Sequence, residues 1–125
     1  MDYSKLSDFE INVAVFEAIH GGSPDYKEGD GGAMVPISYE GDIVGGDAVE
    51  VEVERGVFNP CNNPEDAWPI IIKQRIGLSP AVNGDKWAAY YHEWLVAFAD
   101  GNPLRAAMIV LLMMQESANV QDNPA

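Results

Sequence analysis

Basic residues are scarce in this chain: seven Lys and Arg stand against 20 Asp and Glu, a formal net charge of −13 over 125 residues. A surface so one-sided repels nucleic acid and anionic membrane and favours basic partners, and it can hold a phosphate only in a local pocket. Cysteine is rarer still. Cys61 is alone, which excludes an intrachain disulfide and a cysteine-based zinc site. The two histidines, His20 and His92, lie far apart, and neither has a second histidine nearby to share a metal. No apolar run reaches the roughly 20 residues that span a bilayer. The opening Met1-Asp2-Tyr3-Ser4 lacks the basic and apolar regions of a secretion signal. These absences place the chain as a soluble, single-domain protein of a reducing cytoplasm, with 47% hydrophobic residues to build its core.

What the chain does have is most concentrated at residues 102–116. Asn102 is a good helix N-cap, and Pro103 suits the first helical position, where its missing N–H is not needed. From Leu104 to Met114 only Arg105 is polar, so the helix is apolar all round. Such a helix is buried on nearly every side, by the rest of the chain or by a second subunit. Arg105 stands in the first turn, where the helix dipole disfavours a cation. Two readings follow: an anion site shared with the free amides of the helix start, or an arginine paired with one of the many carboxylates.

Taken in order, Ser7 and Glu10 form a capping box that opens a helix. Phe9, Val13, Phe16 and Ile19 follow at helical spacing, and Gly21-Gly22 stops it, with His20 at the negative end. Residues 23–32 read as loop, and their acids lack the spacing of a calcium loop. Residues 33–39 can be extended, with Pro36 confining them to an edge, and 41–47 read as a turn region. Residues 48–58 are the clearest strand. Val49, Val51 and Val53 alternate with Glu50, Glu52 and Glu54, which predicts one face on the core and three carboxylates on the other. Alternate residues lie about 6.7 Å apart, close to a nucleic-acid phosphate repeat, so DNA mimicry stands beside the ordinary reading of a solvated strand face.

Asn63-Pro64 opens the next helix, with Glu65 and Asp66 in its first turn and Lys73 and Arg75 near its end. Trp68-Pro69 predicts a kink and a second helix start, and Asp66 with Trp68 makes a polar and aromatic corner. Asn83-Gly84 signals a hairpin turn after an extended piece beginning at Gly77, with residues 87–91 as the returning strand. Residues 92–99 are ambiguous between strand and short helix, and 118–125 read as a fraying tail. The fold class is therefore α+β: an N-terminal helix, a small mainly antiparallel sheet, a kinked middle helix and a buried C-terminal helix.

Three stretches also resemble the NinX-like family of small lambdoid-phage proteins: residues 1–12, 61–71 (Cys-Asn-Asn-Pro-Glu-Asp-Ala-Trp-Pro-Ile-Ile) and 102–110. The resemblance implies a phage or prophage origin and an accessory role in infection of a bacterial cytoplasm, and it implies no reaction. Residues 21–58 match no pattern of that family and read as a Gly- and acid-rich insertion. No nucleophile–base pair, metal cluster or other mechanistic motif appears, so the expectation is a binding protein rather than an enzyme, with no cofactor and no metal. One expected partner is a small nucleotide-type ligand, in the sharpest form a nucleotide-derived host immune signal. Its contacts would be Asn63, Asp66, Trp68, Trp87, Asn102 and Arg105, since helix starts hold phosphates and aromatic faces stack bases. The other is a basic host protein met by the acidic surface. Homo-oligomerisation is expected from the apolar excess of the last helix. Neither nucleic acid nor membrane is an expected partner.

Overall fold

The structure, a computed structural model, describes residues 2–82, 84–92 and 94–121, with the side chains of 118–121 left aside. It consists of helix α1 (Asp8–His20), strands β1 (Tyr26–Glu28), β2 (Met34–Val44) and β3 (Asp47–Glu54), helix α2 (Pro64–Gln74), strands β4 (Gly77–Pro80), β5 (Trp87–Tyr91) and β6 (Val96–Asp100), and helix α3 (Pro103–Gln121). The strands form two antiparallel three-stranded sheets in the orders β1-β2-β3 and β4-β5-β6. The fold is α+β, as the patterning predicts.

Helix α3 is the centre. Residues 106–112 are all buried, Ala106 to Val110 completely. One side of α3 packs on β5 and β6, and other sides pack on α1 and α2. An all-apolar helix thus finds its cover within one chain, and the need for a second subunit around α3 disappears. Residues 118–121 continue the helix where a frayed tail is expected.

The capping box forms as predicted: Ser7 Oγ accepts from the Glu10 amide, and Glu10 accepts from the Ser7 amide. The buried stripe of α1 is centred on Ile11 and Val15, both fully buried, while Ile19 is exposed. Helix α2 runs unbroken through Pro69 rather than restarting there. The amide that proline lacks would have bonded the Glu65 carbonyl, on an exposed residue, while Ile70 and Ile71 anchor the helix in the core.

The N-terminal sheet departs most from expectation. Part of the predicted loop, Tyr26–Glu28, is an edge strand, so Pro36 lies in the central strand β2. That position tolerates proline because the ladder is interrupted there: the Arg55 amide uses the Pro36 carbonyl, the regular pairing of β3 ends at Glu54, and the chain rejoins β2 only at the Met34–Phe58 bridge. The turn region contracts to Gly45-Gly46, both at positive φ (60° and 87°), a two-residue hairpin turn that suits glycine. Of residues 92–99, those from Val96 on belong to strand β6, and 92, 94 and 95 form a turn before it. Of the Asn83-Gly84 signal, Asn83 lies outside the described residues.

The largest correction concerns β3. Residues 39–52 are all exposed, so Val49 and Val51 do not pack on the core. The register explains why. Val49 pairs with Asp42, Val51 with Glu40 and Val53 with Ser38, while Glu50, Glu52 and Glu54 pair with Gly41, Tyr39 and Ile37. The two strands alternate out of phase, so neither face is apolar throughout, and the hairpin stands in solvent.

Candidate functional site

Two regions carry the candidate functional side chains, and they differ in kind. The first is a polar junction where the starts of α1 and α3 meet the Asn-rich loop before α2. Asn12, fully buried, donates to the Gly32 carbonyl (3.0 Å) and to Asn59 Oδ1 (2.8 Å), and accepts from the Cys61 amide (3.1 Å). Gly32 must be glycine here, since its φ is +78° and a Cβ would sit 3.0 Å from that of Asp8. Asn102 caps α3 through the Leu104 amide and donates to the Cys61 carbonyl (2.7 Å). Asn63 caps α2 through the Glu65 amide, and Asp66 accepts from the Asn59 amide (2.8 Å) and from Asn63 Nδ2 (3.3 Å).

Arg105 ties this junction together. Its side chain is 13% exposed; Nη1 donates to Asp8 Oδ1 (2.6 Å), Nη2 to the Leu6 carbonyl (2.7 Å), and Nε lies 3.4 Å from Asp100 Oδ1. Two carboxylates and a carbonyl therefore occupy its donors, which is the paired-arginine reading. Cys61 sits within the same junction, and burial first, then the nearby Asp8 charge, push its thiol up to about 12. It is an inert, protonated core cysteine.

Asn63, Asp66, Asn102 and Arg105 thus converge, as caps and cross-links rather than as open donors. Trp87 joins their margin, because it is paired across strands with Asp100. Trp68 points outward from α2 and is 56% exposed. Asp8, Asn12, Asn59, Asn62 and Asp100 complete the junction and were not singled out from sequence; three asparagines within residues 59–63 were the available signal. A half-open cleft of about 580 Å³ lies elsewhere, lined among others by Gln74, Tyr91, His92, Leu95, Met114 and Gln115.

The second region is the β2–β3 hairpin. Its register puts Glu40, Asp42 and Asp47 on one face with Val49 and Val51, and Glu50, Glu52 and Glu54 on the other with Tyr39 and Ile43. Each face is a row of carboxylates beside a row of exposed apolar groups, Ile43 at 68% and Val44 at 58% exposure near the tip. At the base, Lys27 reaches Glu52 (2.7 Å) and Glu54 (3.0 Å), and Arg55 pairs with Glu40. Asp42, Asp47 and Glu50 have no cation partner among the described residues. The tip is thus both unneutralised and apolar.

Among the described residues no helix is long and apolar enough to cross a membrane. No curated protein and no solved structure matches the chain. A family profile described as "Bacteriophage P22, NinX" matches residues 2–115, a range that takes in both the polar junction and the hairpin. The chain belongs to that NinX family of phage proteins.

Proposed function

We propose that this phage protein is a non-catalytic binder that acts in the infected bacterial cytoplasm, using its β2–β3 hairpin to occupy a basic surface of a host protein. The observation that carries the reading is the bare hairpin: residues 39–52 are all exposed, with five carboxylates, Glu40, Asp42, Asp47, Glu50 and Glu52, on two faces. An exposed apolar row flanked by charge marks an interaction surface, and opposite charge on the partner steers the encounter. Carboxylates repeating every about 6.7 Å along a strand would compete for sites that otherwise grip phosphates.

Affinity isolation from infected cells tests it, comparing the wild type with the Asp42→Asn, Asp47→Asn, Glu50→Gln variant. A basic protein that the wild type retains at about 0.1 M salt, and that the variant releases, is the expected result. Three neutralised carboxylates should weaken binding roughly ten- to a hundredfold. Identical bound proteins for both would remove the hairpin from the mechanism.

The second reading is sequestration of a nucleotide-derived host immune signal. It draws support from the cleft of about 580 Å³, where Tyr91 and His92 offer ring faces and Gln74 and Gln115 offer amide groups to a base. Arg105 has its donors committed to Asp8, Asp100 and Leu6, so phosphate recognition there would require breaking those bonds. Calorimetric titration with cyclic and linear nucleotides decides it: heat lost in Gln74→Ala supports the cleft, and no heat across the panel ends the reading.

A further inference from the structure

The outward face of α2 is another apolar surface left in solvent. Trp68 is 56% exposed and Ile72 60%, with Pro69 between them, and Ile19 of α1 is 42% exposed beside them. A groove of about 250 Å³ between the two helices is lined by Ile19, Pro69, Ile70 and Lys73 and floored by Leu111. An indole and an isoleucine held in water on a core helix mark a contact surface rather than a solvated face.

The charges at its ends say what covers it. Glu65, Pro69 and Lys73 stand four residues apart, on one line along the helix, with an acid before the proline and a base after it. At 1.5 Å per residue, each charge lies about 6 Å from Pro69. Both are exposed, and neither has an ion-pair partner among the described residues. Turned over by a two-fold axis through Pro69, this strip meets itself in register: Ile72 of each copy packs on Trp68 of the other, and Glu65 of each copy faces Lys73 of the other. A two-fold interface requires such self-complementarity.

We infer that the chain forms a two-fold dimer through antiparallel α2 helices, with the Ile19 groove receiving side chains from the second copy. The two ion pairs also neutralise the contact zone of a protein whose net charge of −13 opposes association elsewhere. One helix face falls at the small end of specific interfaces, so the dissociation constant lies at roughly 1–100 µM.

Sedimentation or light scattering on the full chain, at concentrations up to about tenfold above that range, tests the inference. The wild type should shift from monomer to dimer. Ile72→Glu should abolish the shift. Glu65→Lys alone and Lys73→Glu alone each create two like-charge contacts and should weaken association about tenfold or more. The double variant, with both reversals, should regain wild-type association, a rescue that a merely structural effect would not produce. All these positions are exposed, so circular dichroism should report an unchanged fold. A monomeric wild type at the highest concentration, an undiminished dimer in Ile72→Glu, or no rescue in the double variant would each overturn the inference.

Discussion

Replacing Arg105 by alanine is the sharpest probe of the polar junction. The guanidinium is 13% exposed, and its loss leaves Asp8 and Asp100 facing a gap with no cation between them. Removing one partner of a fully buried pair costs about 3–5 kcal/mol, and a charge-assisted hydrogen bond contributes about 1.5–3 kcal/mol. Asp8 and Asp100 keep 32% and 26% of their side-chain surface, so water recovers part of that loss. About 2–3 kcal/mol is expected, or roughly 6–15 °C in Tm for a domain of this size. Urea denaturation followed by circular dichroism measures it, and a double-mutant cycle with Asp8→Asn separates the pair energy from the lost packing. A loss below about 0.5 kcal/mol would show a guanidinium that is not tied down, and would return Arg105 to candidacy as an anion ligand.

Asn12→Leu keeps the branching of the side chain but strands the Gly32 carbonyl and the Cys61 amide, and should cost roughly 3 kcal/mol by denaturant titration. Cys61, its thiol raised to about 12 by burial, should resist thiol reagents at pH 8 in the native protein and react once unfolded. Tyr3 is raised from 10.0 to about 12, by burial first and then by its hydrogen bond to Glu116 and that residue's charge. Its contribution to stability is therefore complete below about pH 10 and lost as pH climbs towards 12. Ultraviolet titration should show this late phenol, and Tyr3→Phe should remove it. In the hairpin, Val51→Ser should change stability by less than about 0.5 kcal/mol, whereas Ile109→Ala in α3 should cost about 2–5 kcal/mol.

Local rules were legible wherever local chemistry decides the structure. The Ser7–Glu10 box, the Asn63 and Asn102 caps and the buried run after Leu104 each follow from a few adjacent residues. The hairpin faces were not legible, because alternation along β3 says nothing of the phase of β2. Only the pairing of Val51 with Glu40 shows that both faces are mixed. Pro36 misled for a related reason: a proline is barred from a central strand only where a regular ladder needs its amide, and here the pairing with the neighbouring chain is interrupted between Glu54 and Phe58. The site residues Asn63, Asp66, Asn102 and Arg105 do meet, yet which partner takes Arg105 depends on Asp8, 97 positions away. Sequence spacing carries no information about that.

The central claim, a hairpin that grips a basic host protein, is tested most directly by photo-crosslinking in infected cells. A photoreactive residue placed at Ile43 or at Val49 reports whatever the hairpin touches. The account predicts one shared adduct with a basic protein from both positions, lost when Asp42, Asp47 and Glu50 are neutralised. No adduct from either position, or the same adduct from a probe at exposed Ala99 on the other sheet, would contradict it.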